Sequence, residues 1–136
     1  MISYQVTLEN ISTGKLNGFF EGWKNPPSHE KHLELLRNSS YVVLALDDDT
    51  GNVIGFINAI SDKVLCAYIP LLEVLSAYRN RGIGKELVNR MLALVDEYYM
   101  IDLTCDSDMS SFYEQTGFAP SSGMMKRNYD RQSGIK

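Results

Sequence analysis

Arg79, Arg81, Gly82, Gly84 and Lys85 fall within one short stretch of a 136-residue chain, and that combination is suited to holding an anion. A helix start presents unpaired N–H groups and the positive end of the helix dipole, so cations are unfavourable there unless a negative group is bound among them. Here Arg79, Arg81 and Lys85 surround such a start with only Glu86 to offset them. Gly82 and Gly84 suit the same role, because residues without a Cβ enter turn conformations and let a ligand approach the backbone. The expected ligand is a phosphate group.

Three phosphate-binding motifs could contain these glycines. A Walker loop needs Ser or Thr after its lysine and a further glycine upstream, but Glu86 follows Lys85 and Ala77, Tyr78 and Asn80 occupy the upstream positions. A dinucleotide fingerprint needs Gly or Ala where Leu87 stands, and a place near the N-terminal strand. What remains is Arg-x-x-Gly-x-Gly, formed by Arg79, Gly82 and Gly84 and preceded by Leu72-Glu73-Val74-Leu75-Ser76. It resembles the acyl-CoA signature of the GCN5-related N-acetyltransferases (GNAT). Phe112-Tyr113-Glu114-Gln115-Thr116-Gly117-Phe118 resembles the later motif of that family, an aromatic-Tyr-Glu helix ending in Gly-Phe.

The resemblance implies an α/β (α+β) fold: a central mixed, mostly antiparallel sheet with one splayed parallel strand pair, flanked by about four helices, in a single domain over residues 1–136. It implies acetyl-CoA as cosubstrate and direct transfer of acetyl to a primary amine of a small molecule or protein. Backbone groups at Val74, Leu75 and Ser76 would pair with the pantetheine arm. N–H groups from Arg81 through Gly82, Ile83, Gly84 and Lys85 would hold the pyrophosphate, with charge-assisted bonds added by Arg79 and Arg81. Phe112 and Asp106 would stand on the cofactor side, although the family often has Asn at the position of Asp106 and a small residue in place of Met109. Phe20, Glu21 and Trp23 are candidates for the acceptor wall, the alternative being that this aromatic stripe at helical spacing is core.

Acetyl transfer to an amine poses two proton problems, since a protonated amine cannot attack a thioester and a departing thiolate benefits from a proton. Tyr113 matches the family's general acid, the alternative being a core aromatic, and a tyrosine with pKa roughly 10 stays protonated at neutral pH. Glu73 is the candidate base, the alternative being a substrate-binding or structural carboxylate with a water chain as base; in the run Ile69-Pro70-Leu71-Leu72-Glu73-Val74-Leu75 a carboxylate is costly unless it faces a cleft or a partner. The alternatives are a noncatalytic acyl-CoA-binding sensor, which could dispense with Tyr113, and an interaction module, which needs neither motif.

The elements that must position these residues follow from periodicity. Ser3–Leu8 reads as a first strand, and Ser12 as the cap of a helix carrying Leu16, Phe19, Phe20 and Trp23. After Pro26-Pro27, Ser28 caps a second helix with Leu33 and Leu36 on one stripe. Tyr41–Leu46 and Val53–Ile60 form an antiparallel hairpin, and Val64–Leu75 follows as a strand interrupted at Pro70. From Gly84 the stripe Leu87, Val88, Met91, Leu92, Val95 and Tyr98 marks the principal helix, with Glu86 and Arg90 paired one turn apart. Ile101–Cys105 reads as a strand parallel to the one before that helix, Ser110–Thr116 as a short helix and Met124–Tyr129 as a last strand. Asp130–Lys136 should fray.

Composition narrows the function classes. Hydrophobic residues make up 44% of the chain, enough for one core, and a net charge of −4 with pI near 5.1 argues against nonspecific nucleic-acid binding. No apolar run approaches the roughly 20 residues of a membrane span, and the N-terminus lacks a basic region followed by an apolar core. A cytoplasmic monomer or homodimer without a nucleic-acid or membrane partner is expected. His29 and His32 lie at helical spacing with no carboxylate or cysteine to complete a metal set, so both are expected at the surface and no metal is expected. Cys66 and Cys105 are expected as buried free thiols.

Overall fold

Five strands lie side by side in the order β1-β2-β3-β4-β5: β1 (Ile2–Gln5), β2 (Tyr41–Asp47), β3 (Val53–Ser61), β4 (Cys66–Val74) and β5 (Met100–Asp102). The computed structural model describes residues 1–135. Neighbouring strands are antiparallel except β4 and β5, which are parallel, so the sheet is mixed as expected. Among the described residues three α-helices flank it: α1 (His29–Arg37), α2 (Ile83–Val95) and α3 (Ser110–Glu114).

Both faces of the sheet are covered, which explains why β2 reads as a continuous apolar run rather than an alternating one. Val43 and Ala45 join Ile57 and Ile69 beneath Ile83, Leu87, Val88, Met91 and Val95 of α2. Val42 and Leu44 point the other way, onto Phe56, Leu33, Leu36, Leu16 and Phe20. Leu87, Val88, Met91 and Val95 are wholly buried, so the stripe read from the sequence is the packed face of α2. Ser28 caps α1 as expected, its hydroxyl accepting the Lys31 N–H at 3.1 Å.

Several expectations require correction. Between Ser12 and Trp23 there is only a 3-10 turn at Thr13–Lys15 rather than a helix, which leaves three α-helices instead of about four. Gly18, Phe20 and Gly22 have φ of 91°, 63° and 83°, values that a right-handed helix does not accommodate. The apolar residues there still bury: Ile11, Leu16 and Phe20 fill the core from an irregular segment. His32 is not at the surface but fully buried against Phe19, Phe20 and Phe56, whereas His29 is exposed. The first strand ends at Gln5, and β5 stops at Asp102, so Cys105 is exposed and only Cys66 is partly buried; both are free thiols. Met124–Asn128 forms no strand: Met124-Met125-Lys126-Arg127 offers no alternating apolar face, and Met124 is fully exposed. Beyond it, the Gln132 side chain accepts the Asn25 N–H at 2.9 Å, so the tail is tied down there; Lys136 lies outside the described residues.

Candidate active site

β4 and β5 stay together for only three residue pairs, from Cys66↔Met100 to Tyr68↔Asp102. Beyond them β4 continues along β3 as far as Gly55↔Val74, so the β5-facing edge of Ile69–Val74 has no strand partner. Pro70, which has no N–H, stands where the two strands part, opposite the irregularity between Asn58 and Ile60 of β3. The chain then passes through Leu75, whose N–H bonds to Ile54 O at 2.9 Å, and a 3-10 turn at Ser76–Tyr78.

The glycine motif lies at the head of α2. Gly82 is left-handed at φ 78°, and an added Cβ would meet nothing within 4 Å, so the space above this turn is open. Asn80 is also left-handed, at φ 65°, a conformation that Asn tolerates. The first helical bond runs from Glu86 N–H to Gly82 O at 3.0 Å, which leaves the N–H groups of Ile83, Gly84 and Lys85 without an intrahelical acceptor. The Ile83 side chain itself is in the core. Gly84 meets the later motif: a Cβ there would stand 3.4 Å from Phe112 Cζ and 3.8 Å from Val74 Cγ2.

The three cations differ in their surroundings. Arg79 donates from Nε to Val74 O at 3.0 Å and from Nη2 to Glu21 Oε2 at 2.9 Å. Arg81 lies over the Tyr78 ring at 5.3 Å, and the Tyr78 hydroxyl donates to Asp47 Oδ2 at 2.6 Å, which lowers the Asp47 carboxyl pKa. Glu86 is paired with Arg90 at 2.9 Å. Among the described residues Arg81 and Lys85 make no ion pair, so the start of α2 keeps a local positive charge.

Phe20, Glu21, Trp23, Phe56, Leu71, Leu72, Glu73 and Arg79 line a pocket of about 230 Å³ beside the C-terminal half of β4. The structure therefore brings together all three expected acceptor-wall residues, the candidate base and one motif arginine. Glu73 accepts the Phe20 N–H at 2.8 Å and the Glu21 N–H at 3.2 Å, one on each carboxylate oxygen. Trp23 N–H bonds back to Phe20 O at 3.1 Å and closes the turn. A left-handed φ is costly for a bulky residue such as Phe20, and the Glu73 carboxylate holds the backbone at the strained point. The Phe20 and Trp23 rings are 4.9 Å apart, and Trp23 remains 39% exposed, so one wall of the pocket is aromatic and accessible.

Tyr113 is half-buried between Phe112 and Phe118, with ring centroids at 5.0 Å and 5.9 Å. It lines a larger cleft of about 1090 Å³ with Tyr68, Leu103, Cys105, Ser110 and Gly117. Burial, and then the neighbouring Cys105 thiol, pushes its hydroxyl pKa up. No residue lines both this cleft and the pocket at Glu73. Asp106 is exposed ahead of the 3-10 turn Ser107–Met109 and lines neither.

Phe56, Leu71, Tyr68 and Cys105 were not anticipated as lining residues. The signal for Phe56 is its position opposite Glu73 in the β3–β4 register, and Leu71 lies two residues before Glu73 on the same strand. Cys105 and Tyr68 carried no such signal, because the end of β5 was not legible from alternation.

The sequence profile of the acetyltransferase (GNAT) family matches residues 8–118. A solved structure from Deinococcus radiodurans R1, described as a candidate acetyltransferase, is similar over 99% of this chain and 94% of that one, at 47% identity and a TM-score of 0.96. A GNAT-family acetyltransferase from Streptococcus pneumoniae TIGR4 is 27% identical over 94% of this chain and 98% of that one, with a TM-score of 0.76. Over 75 residues, 54% of its length, the chain is 37% identical to GCN5-related N-acetyltransferase 3, chloroplastic, of Arabidopsis thaliana; the match spans 32% of that protein.

Proposed function

The chain belongs to the acetyltransferase (GNAT) family, and from that membership we propose that it transfers the acetyl group of acetyl-CoA to a primary amine. The observation that carries the reading is the head of α2: a left-handed glycine with open space above it, three N–H groups without helical acceptors and two cations that make no ion pair among the described residues, adjoining the unpartnered edge of β4. These features fit a pyrophosphate held by Gly82, Ile83, Gly84, Lys85 and the Arg81 side chain, with the pantetheine arm along Val74 and Ser76; the Leu75 N–H is already bonded to Ile54 O on the β3 side. Arg79 contributes differently from expectation. Its guanidinium spans the Val74 carbonyl and Glu21, so it links the strand edge to the acceptor turn.

Acetyl-CoA supplies an activated thioester, and the remaining chemistry is the movement of two protons by this chain. Tyr113, its pKa raised by burial, stays protonated through neutral pH and is the proposed donor to the leaving sulfur. Because a thiol has pKa roughly 8.5, below that of a tyrosine, the transfer is uphill, and burial of Tyr113 adds to that cost; in return the donor never ionises beforehand. Glu73 is the proposed acceptor of the amine's proton. Each of its oxygens accepts one backbone N–H, and a carboxylate has about four acceptor positions, so lone pairs remain.

Ligand-linked stability tests the reading. At acetyl-CoA about one hundred times above its dissociation constant, unfolding should be opposed by a further ~2.7 kcal/mol and the melting temperature should rise. No shift at millimolar acetyl-CoA would refute the assignment.

A further inference from the structure

Resting on the acetyl-transfer reading, we infer that the acceptor is a compact free amine that enters as a cation and carries no anionic group, and that Glu21 is the carboxylate that selects it. The first support is charge. The pocket contains two carboxylates, Glu21 and Glu73, against one guanidinium, Arg79, so it carries net negative charge before a ligand enters. The second is the division of labour between the carboxylates. Glu73 has both oxygens engaged by the Phe20–Glu21 backbone, whereas Glu21 has only Oε2 engaged, by Arg79 at 2.9 Å. Its Oε1 accepts no hydrogen bond among the described residues.

Arg79 makes that free oxygen a positioned one. Its Nε is fixed on the Val74 carbonyl at 3.0 Å, so the guanidinium that grips Glu21 is itself anchored to β4. Glu21 is held at the pocket rim without having to be ordered by the ligand, and an incoming ammonium bonds to Oε1 beside the exposed Trp23 ring, whose face attracts cations. An acceptor bearing a carboxylate or phosphate would compete with Glu21 for Arg79 and would face Glu73. Its selection is disfavoured by repulsion as well as by the missing attraction.

Size sets the other limit. A cavity of roughly 150 Å³ holds a benzene molecule. The space here, about 230 Å³ and open to solvent on one side, holds an amine-bearing group of about that size or somewhat larger. It lies below the roughly 300 Å³ at which ordinary ligand pockets begin. The turn that forms one rim is fastened twice, through Glu73 to its backbone and through Arg79 to its Glu21 side chain, so the rim is preformed and favours a small acceptor over one that requires it to widen.

Benzylamine, 4-(aminomethyl)benzoate and a lysine-containing peptide, compared at saturating acetyl-CoA, test the inference. Benzylamine should have a kcat/KM at least about tenfold above both others, falling as salt screens the attraction. Glu21→Gln, at an exposed position, should raise the benzylamine KM about tenfold with kcat little changed, and should flatten the salt dependence and the preference over the benzoate. Preference for the benzoate or the peptide, or a Glu21→Gln enzyme with wild-type KM and salt dependence, overturns the inference and leaves acetyl transfer standing. A wild-type protein that binds no acetyl-CoA or acetylates no amine overturns acetyl transfer and, with it, this assignment.

Discussion

Phe112 Cζ lies 3.4 Å from the point at which a Cβ on Gly84 would stand, so the glycine of the early motif and the aromatic of the late one are a single contact between α2 and α3. The spacing separates two substitutions. Gly84→Ala makes an ordinary van der Waals contact and replaces a poor helix former, so stability should hold or rise by up to about 1 kcal/mol. Gly84→Leu cannot fit without displacing Phe112 and should cost roughly 1–3 kcal/mol, with reduced turnover because Tyr113 moves with its neighbour. Urea unfolding and turnover of both variants check this; a Leu variant as stable as the Ala variant would remove the contact from the account.

Gly82 allows charge to be tested apart from shape. Asn and Asp have the same outline and both tolerate the left-handed conformation that Gly82 adopts at φ 78°, at a similar cost of roughly 1 kcal/mol. If a pyrophosphate sits at the head of α2, Gly82→Asp should bind acetyl-CoA at least about tenfold more weakly than Gly82→Asn, as read by calorimetry. Equal affinities would locate the phosphates elsewhere.

His32 makes stability depend on pH. Enclosed by Phe19, Phe20 and Phe56, with Nε2 lacking a partner among the described residues, it has its pKa pushed down to about 4, first by burial and then by His29. In the unfolded chain the imidazole takes a proton near pH 6.5, and in the folded protein it does not do so until about pH 4. Stability is therefore full above pH 6.5 and declines as pH falls towards 4, by about 3 kcal/mol in all. His32→Leu should remove that part of the slope. A variant whose stability falls as steeply as the wild type over this window would show that His32 is not the group responsible.

Which parts of this arrangement could be read from the sequence follows from the range of the interactions concerned. The β2–β3 hairpin, α2 and the Ser28 cap rest on local periodicity and capping, and the Gly82–Gly84 turn on backbone conformation, so all were legible. The segment from Ser12 to Trp23 was not, because Leu16, Phe19, Phe20 and Trp23 have helical spacing although Gly18 and Gly22 break the helix; apolar spacing records burial and does not by itself record conformation. Glu73 with Phe20 and Arg79 with Glu21 join residues 53 and 58 positions apart, and nothing local signals such pairs. The burial of His32 is illegible for a related reason: its aromatic surroundings come from β3 and from the irregular segment before α1.

Tyr113→Phe removes one oxygen from a side chain half-buried between Phe112 and Phe118, so the fold and acetyl-CoA affinity should be retained. Turnover should fall by roughly a hundredfold to ten-thousandfold, the usual range for a general acid. Because its hydroxyl pKa is raised, the wild-type profile should show no loss of activity from Tyr113 ionisation between pH 7 and roughly 10. An unchanged turnover number, with chemistry shown to limit the rate, would reduce Tyr113 to a packing residue.

The most direct measurement follows the acetyl group itself. The protein is incubated with benzylamine and acetyl-CoA carrying an isotopically labelled acetyl, and the amine is analysed by mass spectrometry alongside free thiol. N-acetylbenzylamine bearing the label, formed in equal amount to the thiol and at least about a hundredfold more slowly in Tyr113→Phe, is the expected result. Thiol release without labelled amide, or no release with any amine while acetyl-CoA is bound, would contradict acetyl transfer.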